Sequence, residues 1–429
     1  MQKTNPTIHF MKAACTVFLF AWVSFFAPLV GGPWPNRFIG LLFVLLLVLL
    51  WLGRDSLRLT FEKSDLFLLL FVFLMIPGIM NVKDSLTAYS QFQYFIVPIP
   101  FLYFFAKAAY PDKYILPVLR AVCFMAAVVS VVGFVEFITG RNFIYEHFVD
   151  NFAYLAFRGR RAMSLHIHPA PLGTYLAAIL PVSVALVIKE NNNALKTLSV
   201  LYLAAIVNCI LLTASRGAFA GVLAGAMIMT IFLAKRNRFA IVLLLMAMLA
   251  SIVWINSALS EPGYSFDPFY RFGIHGLAEY PYARKFIRIL AIGDILKDHP
   301  FFGLGLGHYR IFFDHYVPEL AKQTDPLSKI ADCIYATILA ETGIVGFSAF
   351  LLMIGALFRR IWLKLRILQN SENRLYLTCF AAGLAGIMVS FLTYDGLFWV
   401  APSFMFWSYC GIVSALSKPG REATVSLIK

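Results

Sequence analysis

Arginines spaced to grip an anion are the first chemistry this sequence offers. Arg284 and Arg288 stand four residues apart in the run Tyr282–Leu296, where apolar positions recur at helical spacing, so one helix face would carry both. Arg216 sits in a tight turn, Ser215-Arg216-Gly217, between two apolar runs, and Arg161 ends a basic stretch that starts at Arg158. A guanidinium can hold two phosphate oxygens at once without a metal. Breaking a bond to a phosphate needs such charge on the leaving group and a base on the incoming hydroxyl. Asp332 stands just ahead of a long apolar run. Glu341 lies nine residues further on, about 13 Å along a helix, where a carboxylate is costly and usually functional unless another segment partners it.

Each of these residues also has a plainer reading. Arg216 would serve as an interfacial anchor that snorkels towards headgroups. The Arg284–Arg288 helix would lie amphipathically on the membrane surface. Asp332 would act as a helix N-cap.

The helix with Arg288 runs out at His299-Pro300, followed by Gly303, Gly305, Gly307 and Tyr309. Its glycine spacing differs from a dinucleotide fingerprint and no strand precedes it, which excludes a Rossmann site. The glycines permit a tight backbone path close to another element or to a sugar, so Gly303, Gly305, Gly307 and Tyr309 form a candidate glycan-binding loop. His166 and His168 share a face of an extended segment, but no carboxylate or third histidine lies near them in sequence. The expectation is that they cap or line the start of the following apolar run, with no metal and no cofactor.

The elements that must carry these residues are set by composition. Of 429 residues, 60% are hydrophobic and 14% charged, with a mean hydropathy of +0.78. No soluble core hides that much apolar surface, which excludes a soluble enzyme and a disordered chain. The fold class expected is all-α, a polytopic integral membrane protein of about twelve transmembrane helices. The apolar windows centre near 14–31, 38–53, 65–81, 91–109, 115–138, 169–188, 196–214, 217–234, 239–257, 332–358, 375–393 and 397–416. The first reads as a signal anchor that stays rather than a cleaved leader. The six cysteines have no paired spacing, so neither a disulfide framework nor a zinc site is expected.

Orientation follows from the short connections. Lys12, Arg54, Arg58, Lys107, Arg120, Lys189, Arg236, Arg360 and Arg374 fall on one side, against Arg37, Lys83 and Arg216 on the other. The positive-inside rule then puts both termini in the cytoplasm. The net charge of +14 is mainly this cytoplasmic excess, which removes the case for nucleic acid that such a balance would otherwise raise. All the candidate residues share the outside face. The organisation expected is helices 1–5 in residues 1–138, helices 6–9 with the Ser-Arg-Gly turn in 139–257, a large outside (periplasmic) loop with short helices in 258–331, and helices 10–12 with a cytoplasmic tail in 332–429.

In this order and on these elements, Ser215-Arg216-Gly217, His299-Pro300 with Gly303-x-Gly305-x-Gly307, and Glu341-Thr342-Gly343-x-x-Gly346 resemble the O-antigen ligase and O-antigen polymerase superfamily of bacterial envelope polysaccharide assembly. The likeness covers roughly residues 155–350. It implies a metal-independent inverting glycosyltransferase at the outer face of the bacterial inner membrane, acting on glycans linked to undecaprenyl diphosphate. Arg216 with Arg284 or Arg288, and less closely Arg161, would contact the diphosphate. Ligases resemble one another in a histidine near the start of the helix after the large loop, and here that position is Asp332. The departure points to a polymerase of O-antigen or exopolysaccharide repeats with Asp332 as base, with His275, His299 and His315 as substitutes if the loop folds back. A ligase acting on lipid A core is the alternative on the same scaffold, and a chain-length regulator is an implied partner. A transporter or flippase is the reading from another class; it would place ionisable residues at the bilayer midplane.

Overall fold

The computed structural model describes residues 6–26, 61–76, 98–110, 113–142, 161–166, 168–233, 281–317, 329–368 and 372–417, with parts of 40–48. The expected window at 239–257 and His275 lie outside the described residues, as does the side chain of Arg284.

The described elements are helical, with no strand among them. In chain order they are α1 (Pro6–Ala21, continued by a π turn to Phe26), α2 (Lys63–Met75), α3 (Pro98–Ala109), α4 (Ile115–Thr139), α5 (Pro169–Lys189), α6 (Asn193–Thr213), α7 (Arg216–Phe232), α8 (Pro281–Asp298), α9 (His308–Tyr316), α10 (Ile334–Ile367), α11 (Glu372–Ser390) and α12 (Val400–Leu416). The segment from α1 through its π turn, α4, α5, α6 and α10 are long and apolar enough to cross a membrane, and α7 and α12 are apolar but shorter. The expected loop helices are α8 and α9.

A helix that is apolar all round must be enclosed by others, and α5 is such a helix. From Pro169 to Leu186 almost every side chain is buried, packed among α4, α6, α7, α11 and α12. Helix α7 packs extensively against α11. Gly217, Gly221 and Gly225 repeat at four-residue spacing, so small residues let the backbones touch, as is common where packing alone holds membrane helices together. A Cβ on Gly221 would fall 2.5 Å from the Gly386 carbonyl oxygen.

At the end expected to be cytoplasmic, several of the basic residues are paired. Lys107 and Tyr103 each reach Asp65 at 2.5 Å, all three buried. Arg360 holds Glu62 at 2.9 Å and Ser64 at 3.1 Å. Arg120 grips Glu190 in a fork, and Lys189 pairs with Glu372. Arg374 donates to the Phe232, Leu365 and Leu368 carbonyls, which α7 and α10 leave open at their C-terminal ends. These cations join helices as well as marking a side.

Candidate functional site

The opposite end of the bundle gathers the candidate residues, beginning with the Ser-Arg-Gly turn. Helix α6 stops at Ala214 in the left-handed conformation, and Ser215 starts α7 as N-cap, its Oγ accepting the Ala218 N–H at 3.4 Å. Arg216 is thus the first residue of α7 and is half-buried. Gly217 has room only for hydrogen, because Thr393 and the Ser390 carbonyl stand against it, and Ser390 Oγ donates to its carbonyl at 2.9 Å. That close approach is made by the end of α11 and the residues just after it.

Arg161 has a defined place beside it. Its Nε donates to the Thr213 carbonyl at 2.8 Å and Nη2 to that of Ala214 at 3.2 Å, so it caps the negative end of α6 between the positive ends of α5 and α7. His168 is the N-cap of α5, its Nδ1 accepting the Ala170 N–H at 3.0 Å, with the ring against Trp399. His166 is buried against Tyr175, and burial pushes its pKa from 6.5 down to about 3, so the ring stays neutral. The capping and lining expected of these histidines is what they do.

A connection that the sequence did not single out, Phe391–Trp399 between α11 and α12, joins this turn to the start of α10. Tyr394 donates to Thr174 of α5 at 2.9 Å, and the Phe391 carbonyl accepts the Ile334 N–H at 3.2 Å. Asp395 is buried. Its Oδ2 accepts the Asp332 N–H at 3.0 Å and its Oδ1 the Thr337 hydroxyl at 2.6 Å. The signal was Thr393-Tyr394-Asp395-Gly396, a carboxylate and a glycine in a short connection, expected to be outside, between two apolar runs.

Asp332 is held in an unusual pose. It is not the N-cap of α10, since Cys333 takes that position, and its φ is +56°, a conformation costly for a residue with a Cβ. Its N–H bond to Asp395 sustains that pose. Its carboxylate, 39% exposed, faces Arg288 Nη1 at 3.6 Å. Arg288 itself is only 2% exposed. Phe313 lies beneath the guanidinium at 5.4 Å, and Nη1 donates to the Ile330 carbonyl at 3.2 Å. Its other edge, Nε and Nη2, meets no hydrogen-bond partner among the described residues. A buried guanidinium edge without partners is rare enough to require an explanation, and that edge is the one that forks onto two oxygens.

The glycine run and the Glu-Thr-Gly run prove to be one structure. Helix α10 breaks at Gly343 (φ +63°, ψ −170°), and the loop after α8 fills the break. Leu304 and Gly305 donate to the Ala340 and Glu341 carbonyls, each at 2.9 Å, while Ile344 and Val345 donate to the Pro300 and Phe301 carbonyls at 2.9 and 3.2 Å. Every backbone group named on either side of the break gains a partner, which is what a broken helix within a membrane requires. Gly303 therefore faces backbone rather than a ligand. Glu341 accepts the N–H groups of Gly307 and Tyr309 (3.2 Å for Tyr309), capping the start of α9. Tyr309 is buried and its hydroxyl donates to the Arg288 carbonyl at 3.2 Å. Gly303, Tyr309 and Glu341 thus build the floor under Arg288. Ala291, Ile292 and Ile295 of α8 pack with Leu304, Tyr309, Phe313 and Ala336, so the apolar stripe of α8 covers the start of α10.

His299, just past the end of α8, and His315 on α9 are both exposed. Among the described residues no three His, Cys, Asp or Glu side chains gather as a metal site would need.

The stretch from the end of α6 through the break in α10 thus carries Arg216, Arg288, Asp332 and the loop floor. Residues 200–351 match the model of the O-antigen ligase family. The likeness to that family is one of this central part of the chain. It takes in the Ser-Arg-Gly turn, the glycine loop and the Glu-Thr-Gly break that carried the resemblance; Arg161 and Asp395 fall outside it. No curated protein matches the chain.

Proposed function

We propose that this O-antigen ligase-like protein is a glycosyltransferase of the bacterial inner membrane that polymerises O-antigen or exopolysaccharide repeat units carried on undecaprenyl diphosphate, at the periplasmic face. The reading rests on one observation above the others: Arg288 is buried, its Nη1 is tied to Ile330 and Asp332, and its Nε–Nη2 edge has no partner among the described residues. That edge suits two oxygens of a diphosphate, and Arg216 at the start of α7 adds a second cation and a helix N-terminus to the same face.

The chemistry is a single displacement. The Asp332 carboxylate takes the proton of an acceptor hydroxyl as its oxygen attacks the anomeric carbon, the bond to the diphosphate breaks, and the leaving charge falls on Arg288 and Arg216. The configuration inverts, and arginines supply the charge that a metal supplies elsewhere. Arg284, four residues before Arg288, and Arg161, through its cap on the turn, belong to the same end. Asp395 and Thr337 position Asp332.

The second reading is a ligase that passes finished glycan to lipid A core, favoured by the description of the matching family. The lipid-linked products of a deletion strain separate the two. Single repeats on the carrier, or a core bearing one repeat, indicate a lost polymerase. Long polymer left on the carrier indicates a lost ligase, and carrier-linked repeats trapped on the cytoplasmic side indicate a flippase and sink both.

A further inference from the structure

The loop that fills the break in α10 carries large apolar side chains outward. Phe301 is 65% exposed and Phe302 47%, on a segment whose backbone is bonded to Ile344 and Val345. Ile344 is itself 51% exposed, and below it Leu351 and Leu352 continue an exposed apolar face along α10. Phe301 and Phe302 extend that face.

The depth of this patch follows from helix geometry. Arg359 and Arg360 are the first cations met along α10, about two turns before it ends at Ile367, and Arg360 pairs with Glu62. Hydrocarbon about 30 Å thick takes about 20 residues of helix. Counting outward from Arg359 puts the outer boundary near Leu339. Ile344, five residues inside it, lies about 7 Å below that boundary, and the hydrogen bonds from Ile344 to Pro300 and from Val345 to Phe301 hold the loop tip at the same level. Exposed phenylalanines at that level face acyl chains, not water. Backbone at this depth is tolerated only where protein satisfies it, and the broken helix does so here.

We propose that Pro300–Gly305 is a re-entrant element whose Phe301 and Phe302 side chains sit in the hydrocarbon of the outer leaflet. The outside loop expected at 258–331 then does not stay wholly in the aqueous compartment. It dips into the bilayer and returns, fixing the height of Arg288 and Asp332 above the acyl chains. The occupant of this surface is bilayer lipid. The inference stands apart from the catalytic reading and survives if that reading fails.

The test uses full-length protein in liposomes with a fluorophore on Phe302→Cys, on Phe301→Cys, on Ile344→Cys as a buried-depth standard and on Asp294→Cys as a water standard. The native cysteines are all buried and wild-type protein supplies the labelling blank. Labels at 301 and 302 should lose most of their emission to nitroxide-acyl lipids and little to aqueous iodide, as at 344. Iodide quenching at 301 and 302 equal to that at 294, or equal quenching by both agents, would overturn the proposal. Either position suffices if the other variant does not fold.

Discussion

Gly303 and Gly343 meet backbone to backbone: a Cβ on either would lie 2.6 Å from the amide nitrogen of the other. Both have positive φ, +68° and +63°. Gly303→Ala and Gly343→Ala should therefore each cost about 2–4 kcal/mol, from strain and from loss of the four hydrogen bonds across the break. Gly293→Ala on α8, with nothing within 4 Å of its Cβ, should be neutral or stabilise by about 0.5–1 kcal/mol. Melting of detergent-purified protein reads the contrast, and equal behaviour of the three variants would refute the packing.

Arg288→Lys keeps the charge but cannot fork onto two oxygens. With Phe313 and Ile330 still in place the protein should accumulate normally, while polymer formed from carrier-linked repeats falls by about 10²–10³. Wild-type polymer from Arg288→Lys would leave the unpartnered edge without a ligand. Chelation should leave wild-type activity unchanged, whereas a reaction abolished by EDTA would exclude the arginine-only mechanism.

Arg161 separates a cap from a substrate contact. Bonded to the Thr213 and Ala214 carbonyls, it should when replaced by Ala cost about 1–2 kcal/mol of stability, with Arg161→Lys recovering part of this. Unchanged melting together with lost activity would instead assign it to the diphosphate.

The Asp332 pose depends on Asp395. Asp395→Asn weakens the acceptor of the Asp332 N–H and the Thr337 hydroxyl, and Thr337→Val removes one donor, so activity should fall more in the first. If Asp395 only stabilises the fold, melting temperature and activity will drop in proportion in both variants. A positioning role predicts a loss of turnover and a changed pH–rate profile at preserved stability.

His166 gives a pH signature. Its pKa lies near 3 when folded and near 6.5 when unfolded. The unfolded chain therefore binds a proton that the folded chain does not. Stability is whole above about pH 6.5 and declines as pH falls towards 3, by about 1.4 kcal/mol per unit from this group. His166→Phe keeps a ring against Tyr175 and should flatten the melting temperature between pH 6.5 and 5. A variant that still tracks wild type would show that another group dominates.

Local pattern revealed most of the helices, because apolar windows and their punctuation are properties of neighbouring residues. The apolar windows from 115 to 234 and from 332 to 416 lie close to the helices observed there, and the amphipathic run at 282–296 is α8. What stayed hidden was partnership across the chain. The glycine run was read as a path near an element or a sugar, and only the fold shows that the element is Gly343. Glu341 looked deep along a continuous helix, yet the break and the loop bring backbone N–H groups down to it. Asp395 is 63 residues from Asp332, and no periodicity links them. Arg374 read as an orientation signal and is also a cap on two helices, because a cation's side of the membrane is local information and its hydrogen-bond partners are not.

The buried cluster at the end expected to be cytoplasmic bears on how the chain is made. Asp65 leaves the ribosome well before Lys107, its partner 42 residues later, and Ser64 waits 296 residues for Arg360. A carboxylate inserted early must be shielded by lipid headgroups, water or the insertion machinery until α3 arrives, and that end closes only once α10 is in place. A chain truncated before Arg360 thus presents Glu62 and Ser64 without that partner, a mark by which membrane proteases could tell unfinished copies from finished ones.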